Sequence, residues 1–316
     1  MVKTNPLGAL AAAGGALVAV GLLVVMLLVV EARPAEATFP GKNGKIAYDS
    51  FGGGTDGGIY TINPGGGGKS KVTDTLVSGD AKPSYSPNGK RIAYSDYDGQ
   101  DYEIYTINVG GGGTPFQVTN NNTHDFYPAY SPDGEKIAYT EFSDVPAAIY
   151  AINVGGGGKY KVTEGSNPSY SPDGKKIAYE DLDPVGGDLE IYTINATGGT
   201  AFQVTDNETN DFDPDYSPNG KRIAYASYEG PDTEIYTINV GGGTPFQVTN
   251  NVKDEEAPSY SPNGEKIAYE CYKALGSDDD EDFDHEICTI NVGGGSKTKV
   301  TDTVGFASDP SWGRRP

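Results

Sequence analysis

One stretch of the sequence gathers groups able to bind a metal. Asp96-Tyr97-Asp98-Gly99-Gln100-Asp101-Tyr102-Glu103 sets four carboxylates around a central glycine. Calcium takes about six to eight oxygen ligands, and a tight turn rich in carboxylates supplies them. Asp96, Asp98, Asp101 and Glu103 are therefore a candidate calcium site, although Asp-Gly is also an ordinary hairpin turn and the spacing fits no EF-hand loop. A second acidic run, Asp278 to Glu286, includes His285 and reads first as a solvated charge run. The two histidines, His124 and His285, fall in different segments, which argues against a zinc cluster and leaves little base for a nucleophile. No G-x-S-x-G occurs, and Asn63 to Ser70 imitates a phosphate loop without its leading glycine or following helix. Paired carboxylates would suit a glycosidase or a lyase. Here, however, the acids sit in repeating loops that single out no acid–base pair, so catalysis is not expected.

The elements that carry these groups repeat. Pro-x-Tyr-Ser-Pro-(Asp/Asn)-Gly begins at Pro83, Pro128, Pro168, Pro214 and Pro258, with a spacing of 40 to 46 residues. Each copy runs into Ile-Ala-Tyr, then Ile-Tyr-x-Ile-Asn (Ile-Cys in the last copy), a glycine run and a segment ending in Val-Thr. β-Branched and aromatic residues dominate, no helical period shows, and Pro-Asp-Gly or Pro-Asn-Gly turns reverse the chain. Each repeat thus reads as four strands, a to d, the size of one propeller blade. Lys45-Ile46-Ala47-Tyr48 is a strand b with no strand a before it, and Asp309-Pro310-Ser311-Trp312 is a strand a with nothing after it. The expected fold is all-β: a six-bladed β-propeller of four-stranded antiparallel blades over residues 38–316, its ring closed by the C-terminal strand completing blade one. Residues 1–37 read as a signal peptide ending in Ala35-Glu36-Ala37, or as an N-terminal membrane anchor, since the apolar run from Leu7 to Val30 is long enough to span a bilayer.

The repeat closely resembles that of TolB-type propellers, from Phe39 to Trp312. Similar blades occur in the TolB protein of the cell envelope, in gating domains of prolyl-oligopeptidase-like enzymes and in some polysaccharide lyases, so the resemblance is specific for fold and weak for function. It departs from TolB where blade one follows the apolar segment directly, in place of an α/β domain.

Antiparallel topology puts the repetitive a–b and c–d turns on one face and the variable, acidic b–c and d–a loops on the other, where binding is expected. The position three before the strand-a proline is acidic at Asp80, Asp125, Asp211 and Glu255; Gly165 and Ala307 fill it elsewhere, with Asp309 close to the closing strand. Strand a is innermost, so these five carboxylates are expected to ring the channel mouth and attract a basic protein segment or a metal ion. Alternatively, each acid caps its own loop. In TolB-type propellers this funnel is where a lipoprotein partner docks. The formal net charge of −21 repels nucleic acid and anionic lipid.

The function expected is that of an exported, monomeric, non-catalytic protein-binding scaffold in the envelope or outside the cell. It would meet a membrane only through its N-terminal segment and need no cofactor, calcium being an option at the Asp96 to Glu103 loop. The alternative is a metal-assisted polysaccharide lyase or hydrolase, or a calcium-dependent carbohydrate-binding propeller. Cys271 and Cys288 fall on strands b and c of one blade, in a register that leaves their pairing open.

Overall fold

The computed structural model describes residues 41–51, 57–73, 81–110, 113–143, 146–272, 285–303 and 305–316. The N-terminal apolar segment, Asp80 and most of the acidic run, Asp278 to Asp284, lie outside the described residues. The described chain forms six four-stranded antiparallel sheets. In blade two, strand a is Ser84–Tyr85, b is Arg91–Tyr97, c is Tyr102–Asn108 and d is Phe116–Gln117. Blade one takes strands b, c and d from Asn43–Phe51, Gly58–Ile62 and Ser70–Lys71, and strand a from Phe306–Arg314 at the far end of the chain. Trp312 pairs Ile46 across that closure, as the two unpaired ends of the repeat required.

Strand b does not alternate between buried and exposed. Ile92, Ala93 and Tyr94 are all buried, as are their equivalents in every blade, because each sheet is covered on both faces by its neighbours. The hydrophobic clusters accordingly lie between blades. Ala47, Ile59 and Val72 of blade one pack on Tyr85, Ile92 and Tyr94 of blade two. The sixth such interface joins Ile46, Tyr48 and Trp312 to Ala268 and Ile287 of blade six. Strand d is the outermost and in five blades shrinks to two residues, although Val118 N–H still reaches the Ile104 carbonyl at 2.7 Å.

In five blades the Tyr of Ile-Ala-Tyr stands against the Tyr of strand c, as Tyr94 does against Tyr105 at 5.9 Å between ring centres. Blade six puts Cys288 there. It pairs Tyr269, while Cys271 pairs Glu286, so the cysteines are diagonal neighbours. Their Cα atoms are 5.9 Å apart and they form a disulfide, which resolves the pairing the sequence left open.

Two features of strand a shape the channel. In five blades a register shift falls at the residue before the proline, as between Phe126 and Ala129 or between Phe212 and Asp215. That residue is left-handed in all six blades: Lys82, Tyr127, Asn167, Asp213, Ala257 and Asp309 have φ of 36° to 58°. Among the described residues no other non-glycine residue adopts such a φ. A bulge of this kind re-aims a side chain, and here it turns one residue per blade toward the axis.

The residue after the proline links neighbouring blades. Tyr85 N–H donates to Ser311 Oγ at 3.2 Å, Tyr130 to Ser84 at 3.3 Å, Tyr216 to Ser169 at 3.2 Å and Trp312 to Ser259 at 3.0 Å. Tyr260 N–H finds Asp215 Oδ2 instead, at 2.7 Å, and Ala129 offers Tyr170 no side-chain acceptor.

Candidate functional site: the channel mouth

The b–c and d–a loops share one face, and the six left-handed residues open onto it. Lys82 reaches across the axis from blade two to blade five, its ammonium 2.5 Å from Asp213 Oδ1 and 4.8 Å from the centre of the Tyr127 ring. Asp213 also accepts from Asn167 Nδ2 and, at 3.2 Å, from Ala257 N–H. Its own N–H donates to Glu180 Oε2 at 2.9 Å. Burial pulls the Lys82 ammonium down, but the charges of Asp213, then Asp309, Tyr127 and Glu180, overcome it and raise its pKa above the ordinary lysine value. Burial, then the charge of Asp213, raises Glu180. Glu256, beside the ring residue Ala257, is pushed up to about 7 by burial and then by Glu270, Asp213 and Asp254. One ammonium thus faces several carboxylates.

The rim on the side of blades two and three is aromatic. Tyr127 stands 6.2 Å from Phe142, Phe142 5.8 Å from Phe126, Phe126 4.7 Å from Tyr102, and Tyr102 5.5 Å from Tyr97, measured between ring centres. Phe142, next to Tyr127, and Tyr97, at the outer end of this ribbon, are exposed.

Of the five carboxylates expected at the mouth, Asp309 is on the ring and lines the channel. Asp125, Asp211 and Glu255 are fully buried behind it and do not line the channel wall. Each accepts from an asparagine four residues earlier: Asn121 Nδ2 to Asp125 at 2.8 Å, Asn207 to Asp211 at 2.8 Å and Asn251 to Glu255 at 2.7 Å. The backbone N–H of that asparagine donates to a buried glutamate at the start of strand c, as Asn121 does to Glu103 at 2.5 Å and Asn207 to Glu190 at 2.7 Å. The acid, the asparagine and the glutamate clip the d–a loop to its blade, a side-chain version of the capping alternative. Burial is the main cause that raises Asp125 to about 8 and Asp211 and Glu255 to about 7. Gly165 breaks the acidic pattern for a steric reason: it has φ +109° and a Cβ there would lie 2.7 Å from the Glu180 carbonyl oxygen and the Tyr179 ring.

Sequence reasoning missed the ring itself. Its signal was present, because the residue before the strand-a proline is Lys, Tyr, Asn, Asp, Ala and Asp within an otherwise uniform repeat. Of the candidate calcium ligands, Asp98, Asp101 and Glu103 bring carboxylate oxygens within 4.8 Å of one another. Asp96 lies opposite Glu103 in the register of strands b and c. His124 and His285 sit in different blades; His124 accepts the Tyr102 N–H at 3.3 Å and His285 contacts Glu270.

No curated protein matches this chain. Among solved structures, TolB from Acinetobacter baumannii superposes with a TM-score of 0.73 at 22% identity, covering 88% of this chain and 68% of that one. A putative TolB from Agrobacterium tumefaciens gives 0.62 at 22% identity, covering 83% and 90%. An oligogalacturonate lyase in complex with manganese gives 0.51 at 14% identity, covering 83% and 75%. Likeness at these identities shows the fold alone. The family model described as the TolB beta propeller domain matches residues 37–184 and 115–275, and with six closed blades built from that repeat the chain belongs to the TolB beta propeller domain family.

Proposed function

We propose that the protein is an exported, non-catalytic scaffold of the cell envelope or its surroundings, which docks a protein segment bearing basic and apolar side chains over the channel mouth. One observation carries the reading: the residues turned into the channel are those that differ from blade to blade, while the opposite face repeats nearly verbatim. A surface that only has to close a ring gains nothing from five residue types at six positions there, whereas a binding surface needs local differences. The aromatic ribbon from Tyr127 to Tyr97 supplies apolar anchors. Asp213, Asp309 and Glu256 favour a lysine or arginine and disfavour nucleic acid. Asp309 would touch the partner directly, and Asp125, Asp211 and Glu255 would hold the loops that frame it. The A-x-A segment near Ala37 supports export.

The test immobilises the chain and exposes it to an envelope extract of the source cells. Any captured protein is then purified and titrated against wild type, the triple variant Tyr127→Ala/Glu256→Gln/Asp309→Asn, and Glu135→Gln on the other face. The reading expects one saturable partner, lost by the triple variant and kept by Glu135→Gln. Equal capture by all three, or turnover of a polysaccharide or peptide by the wild type, overturns it.

A further inference from the structure

Strand c opens with Asp-x-Glu in three blades whose strand d carries no lysine: Asp101 and Glu103, Asp188 and Glu190, Asp232 and Glu234. Gln117, Gln203 and Gln247 stand there at the position filled in the other blades by Lys71, Lys161 and Lys299. In blade six Lys299 lies 3.3 Å from the buried Glu286 and offsets its charge. Blades one and three have Gly58 and Ala148 in place of the glutamate. Glu103, Glu190 and Glu234 are therefore buried carboxylates to which strand d brings no ammonium. A buried charge left in this way is strongly disfavoured unless something else compensates it.

Blade two differs from the other two. The turn from Asp98 to Asp101 is closed by Asp98 N–H to the Asp101 carbonyl at 3.0 Å, and Asp98 Oδ1 accepts the Gln100 N–H at 2.8 Å. This fixes Asp98 beside Asp101 and Glu103, and among the described residues it is the one place where three such groups converge. The corresponding acid of blade four, Asp183, accepts from the N–H groups of Val185 and Gly186 in the same manner, at 3.1 and 2.8 Å, but among the described residues no three acidic groups converge there.

A second observation points to a ligand. Glu103 gives one oxygen to the Asn121 N–H, while its other oxygen, Oε2, and Asp101 Oδ1 are buried and accept no hydrogen bond. Glu190 Oε2 and Glu234 Oε2 share that state, and among the described residues only in blade two does a third carboxylate, Asp98, converge on such atoms. Asp101 is 6% exposed and Glu103 0%, so no solvent hydration makes up the deficit. Asp98 is exposed and leaves an open side for water.

We propose that Asp98, Asp101 and Glu103 hold a calcium ion at the foot of the b–c loop of blade two. Three carboxylates and a watered side suit a large ion of irregular coordination better than magnesium, which demands near-octahedral geometry. Asp96 adds negative charge from the facing strand. The site is separate from the channel mouth and stands or falls apart from the scaffold reading.

The test uses the full chain, freed of metal with a chelator and titrated calorimetrically with calcium chloride near pH 7.5. One ion should bind with a Kd on the order of 10⁻⁴ M, and calcium at ten times that Kd should raise the unfolding midpoint. Asp98→Asn, at an exposed position, should weaken binding about tenfold with its chelated midpoint unchanged. Glu103→Gln should abolish binding; should it also fail to fold, Asp98→Asn still decides. Magnesium chloride in tenfold excess should leave the calcium isotherm in place. Absence of calcium binding by folded wild type, binding unaltered in Asp98→Asn, or equal affinity for magnesium overturns the proposal.

Discussion

On the side of blades two and three the mouth is lined by rings: Tyr127 on the axis, then Phe142, Phe126, Tyr102 and Tyr97 outward. On the side of blades four to six and one, the same repeat presents Asp213, Glu256, Asp309 and the half-buried Glu180. Lys82 spans the two, resting on the Tyr127 ring and paired with Asp213. Even the inter-blade belt departs from serine once on each side, with Ala129 on the aromatic half and Asp215 on the acidic half. One scaffold thus divides a single opening between dispersion and charge. Substitutions of a few residues suffice, because the bulge aims whatever stands before the proline at the axis.

The largest effect should come from cutting the bridge between the halves. Lys82→Met leaves Asp213 and Glu180 without their ammonium and should cost about 3 kcal/mol of unfolding free energy in urea titrations. Adding Asp213→Asn should recover part of it. Full stability of the single variant would mean that the halves are held apart by the blades alone.

Binding should then separate the halves kinetically. Phe126→Ala, which removes the middle of the ribbon, should cost the captured partner about 2 kcal/mol, mostly through faster dissociation and with little dependence on salt. Glu256→Gln should instead slow association, an effect that fades at high ionic strength. Identical salt profiles for the two would erase the distinction.

Stability against pH draws on buried carboxylates of both halves, Asp125 of blade three among them, and most of these stand on the acidic half. Burial is the first cause that lifts Asp215 and Glu256 to about 7, far above their values in an unfolded chain. The native state therefore keeps protons that the unfolded chain releases between about pH 4 and pH 7, and stability falls as pH rises through that window. In chelator, the unfolding midpoint at pH 5 should exceed that at pH 8 by about 5 °C. Asp215→Ser, which restores the hydroxyl other blades use, should narrow that difference, the remainder coming from Asp125, Asp211, Glu255 and Glu256. The smallest change is expected on the aromatic half, where Ala129→Ser supplies the missing acceptor for Tyr170 and should add about 0.5–1 kcal/mol.

The blades were readable because they repeat. Ile-Ala-Tyr and the Ser-Pro-Asn-Gly turn recur wherever both faces of a strand must be covered and the chain must reverse, and the loose ends at Lys45 and Trp312 revealed the closure. The ring at the mouth was not readable in the same way, for it consists of the residues that do not repeat, and their direction depends on a left-handed bulge that propensity does not announce. The position of Asp125, Asp211 and Glu255 three before the proline suggested a rim. The asparagines four residues earlier, Asn121, Asn207 and Asn251, were the better guide, since they draw these acids into the loops. The calcium candidates lay within one short run, so their convergence needed only a hairpin, whereas the cross-channel pair joins residues 131 apart in sequence.

The closure of blade one also sets an order of events in the birth of the molecule. Ile46 and Tyr48 emerge among the first of the propeller residues, and the strand that covers them, Phe306–Arg314, among the last. Until Trp312 arrives, five blades can assemble as an open arc with a naked inner edge on blade one and a bare apolar flank on blade six. Such an arc is a template for pairing with its neighbours. The ring behaves like a clasp that only its final link can fasten, and a chain stalled shortly before that link would be handed to the cell's quality control as an aggregation-prone fragment.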